Sequence, residues 1–401
     1  MPPQPAPRPA APPPALRYPY GRHTVDADDV AAVVAALGSG TLTCGVEVGL
    51  FERAIAEFLG VGHVTVCSSG TAALHLAYAT LGIGAGDEII TSPVTFSATA
   101  SAAYQVGAKV KFADVDPRTG NLDPGKVAAL VTKKTKAIVA VHLGGQPCDL
   151  TELRAFARGK GLLFIEDACH ALGALYGGRA VPDGDSDAAV LSFHPVKHVT
   201  TGEGGAVVWR EREHRRRAAR LRHHGVERDP AALSIASPGP WYYEVVEQGW
   251  NYRLPDLLCA LGTSQVKKLP QFLAARRSIA ADYRAALAAL PMVTPPVEFP
   301  DRVSAYHLFA IAVEFDRLDG GRGEVMRRLA RRGIGTQVHY IPLTQQPFHR
   351  AQAGAAADRS RPGVERYYRR TLSLPIYPGL TTADVATIVA ALADTLTELS
   401  R

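Results

Sequence analysis

The spacing of apolar residues changes along the chain, and the changes mark its parts. After Asp26-Ala27-Asp28-Asp29, the residues Val30, Val33, Val34 and Leu37 recur on one helical face, which predicts a helix opened by the acids. Beyond Gly38-Ser39-Gly40 a second helix is predicted over 49–59. Short apolar runs then alternate with helical stretches. Strands are predicted over 64–66, 88–92, 109–114, 135–142, 162–166, 187–193 and 205–209, with helices over 72–80, 97–105 and 150–158. Strands alternating with helices imply an α/β fold whose mostly parallel sheet is covered on both faces.

Periodicity fades over 226–250, where Ser237-Pro238-Gly239-Pro240 predicts a long surface loop. A helical stretch over 255–290 leads into a different pattern. An extended run over 306–315, a helix over 323–332, a strand-like 335–340 and an amphipathic helix over 382–399 predict a smaller α+β unit. The resulting division is a Pro/Ala-rich tail (1–17), a large domain (18–265) and a small domain (266–401), which suits a chain of 401 residues. There is no internal repeat.

Composition narrows the function classes. Hydrophobic residues make up 47% and charged residues 20%, as in an ordinary globular protein. The net charge of +6 is modest, and the basic run over 210–217 is interleaved with acids, so it reads as a solvated helix and not as a nucleic-acid face. A mild positive potential suits a phosphorylated or nucleotide-linked substrate. The five cysteines form no Cys-x-x-Cys pair and no metal-like spacing, which predicts reduced thiols in a cytoplasm and no metal site. No apolar stretch approaches the ~20 residues that span a bilayer. Residues 1–16 hold eight prolines and no apolar core, a polyproline-like tail and not a secretory signal.

The polar residues with chemical potential fall after predicted strands, where open α/β sheets gather ligands. Lys197 lies between two apolar strands, before Gly202-Glu203-Gly204-Gly205. Desolvation disfavours its charged form and leaves an amine able to form an imine with a carbonyl compound. Cys67-Ser68-Ser69-Gly70-Thr71 sits directly before a helix, where backbone N–H groups and hydroxyls receive an anion, although Ser and Thr also favour plain helix caps. Asp167, in Glu166-Asp167-Ala168-Cys169-His170, either caps a helix or holds a proton on a pyridine nitrogen. Phe96 either stacks on a cofactor ring or packs in the core.

Taken together, Ser68-Ser69-Gly70-Thr71-Ala72-Ala73-Leu74, Pro93 to Thr99, Glu166 to Gly173, the Lys197 segment and Gly249-Trp250-Asn251-Tyr252-Arg253 make the chain resemble the DegT/DnrJ/StrS family of nucleotide-sugar aminotransferases. The resemblance runs from about Asp26 to the C-terminus. It implies fold type I (aspartate aminotransferase-like) and pyridoxal 5'-phosphate (PLP) as cofactor. It makes Lys197 the residue joined to PLP and the later acid/base, and Asp167 the partner of the pyridine nitrogen. Gly70, Thr71 and Ser192 would hold the phosphate, Phe96 would stack on the ring, and His170 would stand beside the phenolic oxygen, where many members carry glutamine. Asn251 matches an asparagine that reaches the phosphate from a neighbouring subunit, which implies a homodimer with shared active sites.

Within that family, His170-Ala171-Leu172-Gly173, Phe193 to Lys197 and Gln337-Val338-His339-Tyr340-Ile341-Pro342 resemble the aminotransferases of pseudaminic acid-type biosynthesis. The implied substrates are a UDP-4-keto-6-deoxy-N-acetylhexosamine and L-glutamate. His339 and Tyr340 become sugar-side contacts, unless they belong to a small-domain strand. Rival readings are an aminotransferase for another UDP- or dTDP-4-keto sugar, a family dehydratase, and a non-catalytic regulatory or scaffold protein. Dehydratases of the family carry histidine in place of the lysine, so Lys197 argues against the second rival, and Lys197 with Asp167 argues against the third.

Overall fold

The computed structural model describes residues 16–400, so most of the expected proline-rich tail lies outside the described residues. Two helices open the fold, α1 (Ala27–Gly38) and α2 (Val46–Leu59). Asp26 caps α1 in a reciprocal box with Asp29, as its run of acids suggests. Alternation follows as β1 (Val64–Cys67), α3 (Gly70–Thr80), β2 (Glu88–Thr91), α4 (Ala98–Gln105), β3 (Lys109–Phe112), β4 (Thr135–Val141), α5 (Leu150–Gly159) and β5 (Leu163–Asp167). A small hairpin, β6 (Ala174–Tyr176) with β7 (Arg179–Val181), precedes β8 (Ala188–Ser192) and β9 (Gly205–Trp209).

Seven of these strands form one sheet in the order β1-β9-β8-β5-β4-β2-β3. β9 is antiparallel to both neighbours, and the remaining pairs are parallel. Successive residues of one strand enter different cores: Ile90, Ile138, Phe164 and Leu191 pack with α2 and α5, while Ile89, Val139, Ile165 and Val190 pack with α3 and α4. Burial on both faces explains why the strands read as continuous apolar runs.

α6 (Arg212–Leu221) carries the basic run, and its arginines are not simply solvated. Arg216 and Arg220 pair with Glu227, and Arg217 pairs with Glu247. These pairs hold down the segment expected to be a structureless loop. It contains an antiparallel pair, β10 (Val226–Glu227) with β11 (Glu244–Val245), and presents Trp241, Tyr243, Val245 and Val246 to solvent.

α7 (Asp256–Leu287) is 32 residues long and serves two cores. Its Cys259, Val266, Leu269 and Leu273 pack under the large sheet, while Ile279, Tyr283 and Leu287 belong to a C-terminal core. β12 (Val293–Thr294) pairs with β14 (Phe309–Val313), and β13 (Arg302–Val303) returns between them in sequence to pair with β6. The C-terminal core is completed by α8 (Gly321–Arg331), β15 (Thr371–Leu374), which pairs with β14, and α11 (Thr382–Leu399). Before β15, α9 (Pro347–Ala353) and α10 (Pro362–Arg370) fill a stretch that carries little apolar periodicity. Tyr18 joins this core and donates to Asp384 Oδ1 at 2.8 Å.

Two C-terminal expectations are corrected. Residues 335–340 form no strand; Gln337 makes a single bridge to Ser373, and the chain then turns toward the large sheet. The extended run at 306–315 is strand only over β14, because Tyr306 takes a positive φ of 46°. Its carbonyl is taken there by the buried Arg276, at 3.1 Å from Nη1. No described helix is long and apolar enough to cross a membrane, and all five cysteines are free.

Candidate active site

Adjacent parallel strands deliver side chains from their carboxyl ends into one region. β1 ends in the Ser68-Ser69 turn, which is extended and then enters α3. Ser69 Oγ accepts from the Ala72 N–H at 3.1 Å and caps the helix. The N–H groups of Gly70 and Thr71 have no protein acceptor among the described residues, as the start of a helix leaves them. Gly70 is there for a steric reason: a Cβ would stand 2.9 Å from Ser192 Cβ. Gly205 answers to the same crowding, since its Cβ would meet Ser69 O at 2.4 Å. The turn, Ser192 and the start of β9 are therefore pressed together, with unpaired donors at their junction. Thr71 is exposed there.

Asp167 ends β5 and is buried. Its Oδ2 accepts from Thr99 Oγ1 at 2.7 Å and its Oδ1 from the Cys169 N–H at 3.3 Å. No ion pair to Asp167 forms among the described residues. Lys197 is half-buried in the loop between β8 and β9, with its N–H on His194 O at 2.9 Å. Burial pushes its ammonium below the ordinary lysine range, and the nearby Cys169 and Asp167 oppose that shift only in part. The result is an amine held closer to its nucleophilic form.

His170 follows Asp167 by one turn and is also buried. Its Nδ1 receives the Gly144 N–H at 3.3 Å. A backbone N–H only donates, so Nδ1 is unprotonated and the proton sits on Nε2. Burial, reinforced by Lys197, drives the imidazole well below the usual histidine range and keeps it neutral. His170 thus presents one N–H, which meets Tyr340 Oη at 3.3 Å. The ring of His307 lies 4.3 Å from that of His170.

Phe96, after β2, is 61% exposed, with its ring 6.2 Å from that of Tyr340. A core role is thereby corrected: it is an open ring at the edge of the site. His339 and Tyr340 diverge. Tyr340 turns to His170, whereas His339 Nδ1 pairs with Ser373 Oγ at 2.8 Å in the C-terminal core. Asn251 is exposed, and its side chain makes no hydrogen bond among the described residues. Its neighbour Tyr252 accepts the Ser68 N–H of the same chain at 2.9 Å.

Three participants carry no clear sequence signal. Gly144 and His307 come from distant segments, and only their contacts with His170 mark them. Thr99 has a partial signal, lying four residues after Thr95 on the strand-to-helix turn that also carries Phe96.

These groups fit PLP. An amine of lowered basicity suits the aldehyde, unpaired helix N–H groups suit the phosphate, a buried carboxylate without a cation suits the ring nitrogen, and a neutral imidazole N–H suits the phenolic oxygen.

Comparisons with known proteins agree. The model of the DegT/DnrJ/EryC1/StrS aminotransferase family matches residues 23–393. The spore coat polysaccharide biosynthesis protein SpsC of Bacillus subtilis (strain 168) is 38% identical over 377 residues, covering 94% of this chain and 96% of that relative. Among solved structures, Helicobacter pylori PseC, an aminotransferase of pseudaminic acid biosynthesis, superposes with a TM-score of 0.89 at 32% identity. That match covers 95% of this chain and all of PseC. The PLP form of the putative sugar aminotransferase Spr1654 from Streptococcus pneumoniae gives 0.87 at 26% identity, covering 95% of this chain and 98% of that one. The chain belongs to the DegT/DnrJ/EryC1/StrS aminotransferase family and is a PLP-dependent sugar aminotransferase.

Proposed function

We propose that this enzyme moves the amino group of L-glutamate to the C4 keto group of a UDP-4-keto-6-deoxy-N-acetylhexosamine, in pseudaminic acid-type sugar biosynthesis. The observation that carries the reaction type is the convergence of Lys197, Asp167 and the Gly70–Ser192 junction at neighbouring strand ends. The choice of sugar is supported by the full-length likeness to PseC and by the Tyr340–His170 contact, which brings the 337–342 segment to the site.

PLP, when bound, supplies an aldehyde and an electron-withdrawing ring. The protein supplies the rest. Lys197 Nζ would hold the aldehyde at rest and, when free, would serve as the base that removes a proton from the amino donor and the acid that returns one toward the sugar carbon. Its lowered basicity serves both directions, because an amine fixed as ammonium would carry no proton away. Asp167 holds the ring nitrogen. Gly70, Thr71 and Ser192 would receive the phosphate, Phe96 would lie against the ring, and His170 would turn its one N–H, on Nε2, from Tyr340 Oη to the phenolic oxygen. Tyr340, beside His170, would meet the sugar, and His339 would act behind it.

The functional unit is a homodimer in which Asn251 reaches the partner's phosphate site. Support comes from exposed apolar side chains on the two opening helices, among them Val30, Val34, Leu37, Val46 and Leu50, and on the 235–246 excursion just before Asn251.

The test is to load the enzyme with PLP and offer L-glutamate with a panel of UDP- and dTDP-4-keto sugars. Turnover with the UDP-4-keto-6-deoxy-N-acetylhexosamine is the expected result. Turnover confined to a dTDP sugar would refute the substrate while leaving the reaction type intact.

A further inference from the structure

Asp167 is the inner end of a row of hydroxyls. Thr99 Oγ1 lies 2.7 Å from Asp167 Oδ2 and 2.8 Å from Thr95 Oγ1. All three side chains are buried, Thr99 completely. Proton directions follow from the chemistry. A carboxylate only accepts, so the single Thr99 proton goes to Asp167, and the bond between the threonines is donated by Thr95. Each donor in such a row is strengthened by the next, and in a dry interior the bonds gain further.

Local structure fixes the row. Thr95 precedes α4 and Thr99 lies in its first turn, so four residues of spacing bring the two hydroxyls to one side. The Thr99 carbonyl accepts from the Tyr78 hydroxyl at 3.0 Å, which ties this turn to α3 and thereby to the Gly70 end of the site. Without Thr99, Asp167 would retain only Cys169, through its N–H at a longer 3.3 Å and its weakly donating thiol. Its carboxylate would then be free to rotate and would lack a donor in a buried place.

We propose that Thr99, oriented by Thr95, is a positioning residue that sets the plane of the Asp167 carboxylate toward the pyridine nitrogen of PLP. The assignment of Asp167 to that nitrogen is the reading proposed above, on which this inference rests. Two lone pairs are taken by Thr99 and the Cys169 N–H, which leaves the remaining ones for the pyridine N–H.

The experiment measures PLP affinity by equilibrium dialysis for wild type, Thr99→Val, Thr99→Ser and Thr95→Val, with thermal unfolding of each apo-protein alongside. Thr99→Val should weaken PLP about 10- to 100-fold, the range for loss of a hydrogen bond to a charged group. Thr99→Ser should stay within about threefold of wild type, since it keeps the donor, and Thr95→Val should weaken PLP by about two- to fivefold. A merely structural role would lower unfolding temperatures without separating Thr99→Val from Thr99→Ser in affinity. Wild-type affinity in Thr99→Val overturns the proposal, as does an equal loss in Thr99→Ser. If Thr99→Val fails to fold, Thr95→Val decides: wild-type affinity there overturns it. A wild-type protein that takes up no PLP overturns the cofactor reading itself, and this inference with it.

Discussion

Glu166 and Asp167 are consecutive, both buried, and differ in nearly everything that decides their use. A strand sends successive side chains to opposite faces, so the two carboxylates enter different surroundings. Glu166 receives His142 Nε2 at 2.8 Å, Arg154 Nη2 at 2.8 Å and the Ser186 hydroxyl. His142 is fixed in the donating form because its Nδ1 accepts the Cys148 N–H at 3.0 Å. Burial pushes the Glu166 carboxyl up, but its three partners outweigh that and bring it down to about 2. Asp167 accepts from a hydroxyl and a backbone N–H and forms no ion pair among the described residues, although Lys197 lies near enough to feel its charge. One carboxylate has its charge answered inside the protein and fastens β4, α5 and β5 together. The other is held by neutral donors with no ion pair, which leaves it open to a cationic ring from outside.

Breaking each side should produce a different failure. Asp167→Asn keeps the shape and removes the charge, so turnover should fall on the order of 10³-fold while thermal unfolding moves little. A loss of stability as large as the loss of rate would contradict the division. Glu166→Ala should do the reverse. It leaves Arg154 with Asp183 alone on the inner side and His142 Nε2 without an acceptor, and should cost about 1–3 kcal/mol of folding free energy, read by urea unfolding, with PLP still bound by whatever protein folds.

The pH dependence sharpens the contrast. A carboxyl whose folded value is depressed gives stability that is complete above its unfolded value, near 4.5, and is lost as pH falls toward about 2. The shift corresponds to about 3 kcal/mol lost across that window. Unfolding followed from pH 7 to pH 3 should therefore fall less steeply in Glu166→Gln than in wild type, and parallel curves would remove Glu166 from the account.

The smallest effect belongs to the rim of the site. Tyr340→Phe removes an acceptor from His170 Nε2 without moving Asp167, so the Michaelis constant for the sugar should rise about threefold, with the PLP affinity unchanged.

This contrast also shows what a linear sequence displays. The places of Lys197, Asp167 and the Gly70 turn are legible because strand ends and helix starts are local features, and the parallel sheet brings such ends together. The stretch at 335–340 was misread because its apolar residues mimic a strand, while Tyr340 is drawn off by His170, 170 residues away in sequence. The 226–250 segment hid its β10–β11 pair because arginines of α6 hold it, and nothing periodic within it does. α1 is a helix as its spacing predicts, yet Val30, Val34 and Leu37 face solvent. Asp29 is buried in their stead because Ser264 Oγ at 2.6 Å and Gln265 Nε2 at 2.7 Å await it on α7. Thr99 escaped notice because its partner lies 68 residues away, and only the fold supplies that distance.

The central claim is that Lys197 carries the cofactor at the strand ends described. Its most direct test is the absorbance spectrum of the purified protein after incubation with PLP. A band near ~420 nm, the mark of lysine-bound PLP, should appear in wild type, shift on addition of L-glutamate, and be missing from Lys197→Ala even where that variant retains PLP. A colourless wild-type protein that takes up no PLP, or a Lys197→Ala protein with the same band, would contradict the account.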